Sequence, residues 1–244
     1  MQGKIFLVGI GPGKREHMSQ KAIDVIERAD VVVGYKTYLT LIKGLTEGKE
    51  IISSGMRHEG ERAKMAVDKA LKGKKVSIIS SGDPGIYAMA SVVFEYMKGE
   101  NIDIDVEVVP GITAASAAAA LLGSPLGHDF AVISLSDLLT PWGVIEERLE
   151  LAAKGNFVLV LYNPKSKSRK EQIGRAVEIL KKYRDGTTPV GIVRNAMREE
   201  ENLEISTLEN MLDCEIDMLT IIIVGNSETF VYGGKMTTPR GYKL

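Results

Sequence analysis

The sequence predicts an α/β protein of two α/β domains, with a mostly parallel N-terminal sheet and a mixed C-terminal sheet. Three observations carry this. Short apolar runs alternate with longer amphipathic stretches, the pattern of βαβ units with helices on both faces of a sheet. The 244 residues are enough for two compact cores. Midway, the small-residue segment PGITAASAAAALLGSPLG (110–127) changes the texture, and the domain boundary is placed there, as 1–112 and 113–244.

In order, KIFLVG (4–9) reads as the first strand and Ser19 to Arg28 as a helix. DVVVG (30–34) and EIISS (50–54) follow as strands. ERAKMAVDKALKG (61–73) places Ala63, Ala66, Val67, Ala70 and Leu71 on one helical face, and Gly73 suits its C-terminal end. KVSIIS (75–80) and DVEVV (105–109) complete the first set. The Ala-rich 110–127 segment reads as a tightly packed helix, punctuated by Gly123, Ser124, Pro125 and Gly127. Strands are then expected at 130–135, 157–162, 189–193 and 219–225, with helices from about Trp142 to Ala153 and Ser168 to Lys182. ENLEISTLE (201–209) reads as an exposed strand leading to a short helix.

Composition excludes several classes. A net charge of −1 offers no general basic field, so nucleic acid is not expected as a partner. Cys214 is the single cysteine, which rules out an intrachain disulfide framework and suits a cytoplasmic setting. No apolar run approaches the roughly 18 residues of a membrane span. His17, His58 and His128 are scattered and form no ligand spacing, so no protein-bound metal is expected. No serine sits in a G-x-S-x-G elbow.

GIGPGKR (9–15) invites a nucleotide-binding reading, yet it fits neither fingerprint. A P-loop needs Gly-x4-Gly-Lys followed by Ser or Thr, and Lys14 is followed by Arg15. The third glycine of a dinucleotide loop is replaced by Lys14, and Pro12 removes an N–H. A Gly-x-Gly-x-Gly turn of common methyltransferases would need an acid ending the second strand, where Gly34-Tyr35-Lys36 stand instead. A tight turn after a strand explains the motif equally well.

Read together and in order, seven segments say more: VGIGPG (8–13), DVVVGYKTYL (30–39), SSGDPGIYAMA (80–90), VVPGITAASAAAALLGSPLGHDFAVISLSDLLTPW (108–142), VLYNPKSKSR (160–169), PVGIVRNA (189–196) and LTIIIVGNS (219–227). This set resembles the tetrapyrrole methylase family of cobalamin and sirohaem biosynthesis over nearly the whole chain. GYKTYL, SLSDLLTPW and LYNPKSKSR resemble the members that act at C17 of precorrin-3B or cobalt-precorrin-3. The resemblance implies a homodimeric enzyme with its active-site cleft between two domains. It also implies methyl transfer from S-adenosylmethionine to C17 of a tetrapyrrole, with contraction of the macrocycle. Cofactor contacts carry over to Asp83, Ile86, Thr113, Ala114, Tyr162, Asn163, Asn195, Ala196, Met218, Leu219 and Thr220. Pro12 and Gly13 match the loop beneath the tetrapyrrole. Other readings are a family member acting at another carbon, a diphthine-synthase-like enzyme, and a non-catalytic cofactor-binding module.

The residues themselves support part of this. Gly- and Pro-rich turns at 9–13, 82–85, 110–113, 162–164 and 194–196 follow apparent strands, where ligands gather in open α/β sheets. Methyl transfer from a sulfonium needs in-line placement more than a strong acid or base. Asp83 therefore reads as the corner of a cofactor site rather than a catalyst. Ring contraction calls for proton transfer, with Asp137, Ser134 and Ser136 as candidates and Glu59 and His58 behind them. Asp137 reads somewhat more readily as a helix N-cap, since it precedes Leu138-Leu139 in a turn-prone region. Arg57, Arg62, Lys165, Lys167, Arg169 and Lys170 could pair with substrate carboxylates, Arg in bidentate geometry. KSKSRK reads alternatively as a solvated face at a helix start. Cys214 and Trp142 read as inert and as packing.

Overall fold

The computed structural model describes residues 3–55 and 57–243. The chain divides after Ala114 into two compact units.

The first unit runs β1 (Lys4–Gly9), α1 (Gln20–Glu27), β2 (Val31–Tyr35), α2 (Lys36–Leu41), β3 (Glu50–Ser54), α3 (Glu59–Leu71), β4 (Lys75–Ser80), α4 (Met89–Gly99) and β5 (Asp105–Val109). Its sheet has the order β3-β2-β4-β1-β5, and every pairing is parallel. Alternation along the strands sorts the core into two layers. Ile5, Leu7, Val31, Val33, Val76 and Ile78 face α3 and α4, while Val8, Val32 and Ile79 face α1. Ser77 falls on the α1 side, and its hydroxyl donates to the carbonyl of Val25 at 3.1 Å, so this buried polar group is satisfied. Gly73, at φ +81°, follows α3 as expected.

The second unit follows α5 (Ala114–Leu122) with β6 (Gly123–Ser124), β7 (Phe130–Ser134), α6 (Trp142–Lys154), β8 (Val158–Tyr162), α7 (Gln172–Leu180), β9 (Pro189–Arg194), β10 (Asn202–Thr207), β11 (Thr220–Val224), β12 (Phe230–Tyr232) and β13 (Lys235–Thr237). The main sheet has the order β10-β9-β11-β8-β7 and is mixed: β7 and β8 are parallel, the other neighbours antiparallel. One face buries Ile145 and Leu149 of α6 and Ala176, Val177 and Leu180 of α7. On the sheet, Gly191 leaves no room for a side chain, because an added Cβ would lie 2.4 Å from Leu122 of α5. Leu122 of α5 therefore packs directly on the β9 backbone. Arg184 is buried and donates to the carbonyls of Phe157, Val224 and Gly225. Burial lowers its guanidinium to about 10.

Some expectations fail on local grounds. The helix expected from Ser168 starts only at Gln172, because Ser166 N–H bonds the Arg169 carbonyl at 2.8 Å and closes a separate turn. KSKSRK is therefore a loop, and the helix-start reading of its lysines falls. Helix α6 is preceded by Pro141 at its N-cap, so Asp137 does not cap it. The sheet of β12, β13 and β6 and the short α2 were not anticipated, since two- and three-residue strands show no alternation.

Candidate functional site

At the carboxyl ends of β1, β4 and β5 three backbones meet. Gly11 and Gly82 bond each other in both directions, at 3.1 and 2.9 Å. A Cβ on Gly111 would lie 2.2 Å from the Gly82 carbonyl, and one on Gly9 2.6 Å from the same oxygen. These glycines serve backbone packing, the tight-turn reading of GIGPG. Asp83 completes the junction: Oδ1 accepts from Gly85 N–H at 2.8 Å and Oδ2 from Gly111 N–H at 3.1 Å. Ile86, 38% exposed, projects just beyond it. The loops after β1 and β4 lead to opposite faces of the sheet, the switch-point arrangement that binds ligands in open α/β folds.

The other first-unit residues are placed less uniformly. Pro12 and Gly13 are buried, with Leu41 of α2 against Gly13. Arg57 and Glu59 are exposed, and His58 pairs with Glu61 at 2.8 Å. Arg62 is not available to a substrate. It is 4% exposed and donates to Ser54 Oγ, the Gly55 carbonyl and Met89 Sδ. Burial pushes its guanidinium below its ordinary value, against the opposing charge of Glu59. It ties the end of β3 to the start of α4. Thr113 and Ala114 lie on the chain that leads from the Gly111 junction into α5.

In the second unit the candidates line one edge of the sheet, where β7, β8 and β9 end and β11 begins. Asn163, at φ +52°, turns the chain directly after β8, and its Nδ2 donates to Ser134 Oγ at 2.9 Å. Ser136 N–H donates to the same oxygen at 3.2 Å. Arg169 donates to the Asn163 carbonyl at 2.9 Å and reaches Ser136 Oγ at 3.4 Å. Its Nε is buried without an acceptor among the described residues. Asp137 is exposed and accepts from Gln172 at 2.8 Å. Tyr162 Oη accepts from Ala115 N–H at 3.0 Å, at the start of α5. Lys165 is half-buried in the following loop.

Next along the edge, Asn195 at φ +51° follows β9, and its N–H donates to the Leu219 carbonyl at 3.1 Å. That bond brings Asn195 and Ala196 beside Met218, Leu219 and Thr220. Two residues the sequence reading missed hold this corner. Arg194 Nε donates to Asp217 Oδ2 at 2.8 Å, while Asp217 Oδ1 accepts from Leu219 N–H and the Thr220 hydroxyl. Burial works to raise the Asp217 carboxyl, but Arg194, Leu219 N–H and Thr220 together hold it below its ordinary value. Their signal was adjacency: each directly precedes a residue already singled out. Met218 and Leu219 are 41% and 52% exposed, apolar surface beside ordered backbone groups. Cys214 meets Glu204, and burial raises its thiol, in keeping with an inert role. Among the described residues no group of three or more His, Cys, Asp or Glu is placed to hold a metal ion, and no helix is long and apolar enough to cross a membrane.

One parallel and one mixed sheet, with glycine junctions and left-handed asparagines at strand ends, make this an α/β protein of the ligand-binding kind. The chain belongs to the tetrapyrrole (corrin/porphyrin) methylases, whose family model matches residues 4–212. It is 47% identical to a probable cobalt-factor III C(17)-methyltransferase of Salmonella typhimurium, over 98% of this chain and 99% of that protein. It is 49% identical to a cobalt-factor III methyltransferase of Priestia megaterium, over 100% of this chain. The chain spans about half the length of that relative, 46%. Among solved structures, the methyltransferase CobJ superposes with a TM-score of 0.91 at 37% identity, covering 97% of this chain and 100% of that one.

Proposed function

We propose that the chain transfers a methyl group from S-adenosylmethionine to C17 of a trimethylated, cobalt-containing tetrapyrrole, with contraction of the macrocycle, in cobalamin biosynthesis. The observation that carries this is the gathering of Ser134, Ser136, Asn163 and Arg169 at one sheet edge, in a chain that matches a C(17)-methyltransferase over its full length. The cobalt in the names of two relatives supports the metal-containing substrate.

S-adenosylmethionine, when bound, supplies an electrophilic methyl on a sulfonium. The protein's part is placement, worth roughly 7–11 kcal/mol in well-oriented systems. Asp83 holds the turn that presents Ile86, and Asp217 with Arg194 holds the backbone of Asn195, Ala196, Leu219 and Thr220. Within residues 1–112 the substrate-side candidates are Pro12, Gly13, Arg57 and Glu59; within residues 113–244 the cofactor candidates run from Thr113 and Ala114 through Tyr162 onward. Arg169 and Lys165 meet substrate carboxylates. Ser134, Ser136 and Asp137 lie together where ring contraction would need protons moved. The family likeness supports a homodimer, and the single cysteine a cytoplasmic setting.

Incubation with S-adenosylmethionine and trimethylated tetrapyrrole, with and without cobalt, tests the reading by mass analysis. One added methyl on the cobalt form is expected. No added methyl on either form, with no calorimetric binding of S-adenosylhomocysteine, rejects it; bound S-adenosylhomocysteine with no added methyl favours a non-catalytic cofactor-binding module.

A further inference from the structure

The loop between β7 and α6 carries two adjacent leucines with little protein around them: Leu138 is 63% and Leu139 93% exposed. The loop is anchored at both ends. Leu135 before the pair is fully buried, and Trp142 packs against the core as α6 begins. Ser136 and Asp137 are tied to Arg169 and Gln172 in turn, so the pair is held in place beside the loop that follows β8.

That neighbouring loop supplies a second, independent observation. Lys165, Lys167, Arg169 and Lys170 stand within six residues, and none is ion-paired with a described residue. Arg169 Nε is buried without an acceptor among the described residues. Scattered single leucines on a surface are ordinary. An anchored pair beside three lysines and an arginine with no ion pair to a described residue is a composite surface, apolar in one part and cationic in the next. A ligand with a broad apolar face and a rim of carboxylates matches both parts at once.

We propose that Leu138 and Leu139 are substrate-contacting residues that seat an apolar face of the tetrapyrrole while the adjoining basic loop holds its carboxylates. The loop thereby selects the macrocycle over other methyl acceptors. This rests on the methyltransferase reading and adds the residues that discriminate its substrate.

The test compares wild type, Leu138→Ser/Leu139→Ser and Leu139→Met. Binding of a cobalt-containing trimethylated tetrapyrrole is followed by absorbance, turnover by mass analysis, S-adenosylhomocysteine binding by calorimetry and molar mass by light scattering. The double variant should bind the macrocycle at least about tenfold more weakly, with KM raised to match. S-adenosylhomocysteine affinity and molar mass should stay near wild type, and Leu139→Met, which keeps an apolar side chain, should bind the macrocycle more tightly than the double serine variant. Tetrapyrrole affinity within about twofold of wild type overturns the proposal. So does a fall in molar mass at unchanged affinity, which assigns the leucines to a contact between copies. Leucine-dependent binding by a wild type that adds no methyl rejects the methyltransferase reading alone, whereas a wild type that binds no tetrapyrrole rejects both.

Discussion

Asp83 has both carboxylate oxygens committed to backbone amides, one within its own turn and one 28 residues away. A carboxylate so occupied shapes a site instead of attacking within it. Asp83→Ala removes the acceptor of the exposed Gly85 N–H and of the part-buried Gly111 N–H, and should cost about 1 kcal/mol of stability, measured by urea unfolding. S-adenosylhomocysteine should bind more weakly, with a smaller loss of turnover once substrates saturate. Unchanged cofactor affinity with lost turnover would instead make Asp83 a chemical participant. The two arginines of the GMRHEGER stretch part company at this same scale. Arg57 is exposed, while Arg62 turns inward to Ser54, Gly55 and Met89. Residue type alone assigned both to substrate carboxylates, since nothing in a local pattern says which way a long side chain folds back.

Among the elements, the ends of β8 and β9 share one device: an asparagine in the left-handed region directly after the last strand residue. Asparagine visits that region more readily than other side chains. Asn163→Ala should be destabilising by about 1–2 kcal/mol from backbone strain, with the bond to Ser134 lost as well. Asn163→Gly loses the same bond but not the backbone freedom, so its melting temperature should exceed that of the alanine variant. Equal melting temperatures would show that the backbone carries no strain there. The main strands were legible as continuous apolar runs, buried along nearly their whole length, and the helices as amphipathic stretches with helical spacing. The β12–β13 hairpin was not, although Gly233 and Gly234, both at positive φ, mark its turn. The start of α7 was also missed, because Ser166 closes a turn on Arg169 that competes with the helix.

For the whole molecule, acid should reveal the corner built by Asp217. A carboxyl held low in the folded state contributes stability that is complete above its unfolded value, near 4, and is lost as pH falls through the lower folded value. Stability should therefore be insensitive to this group from about pH 5 to 8 and decline below about pH 4. Asp217→Asn should be less stable at neutral pH, with a shallower decline on the acid side, read from urea midpoints across pH. An acid limb as steep as that of wild type would place the linked proton on another group.

The amino-acid sequence by itself determined the class of fold, the order of its strands along the chain and the turns at which a ligand could be met. Those features are local: periodic apolar residues and glycine-bearing strand ends declare themselves within a dozen positions. Tertiary structure alone decided which polar side chains meet at the strand ends and which, like Arg62, are buried in the frame. Asp217 reaches Arg194 across 23 residues, Asn163 reaches Ser134 across 29, and Arg169 reaches Ser136 across 33. A hydrogen bond needs its partner within about 3 Å in space, and only the paired strands bring such distant residues that close.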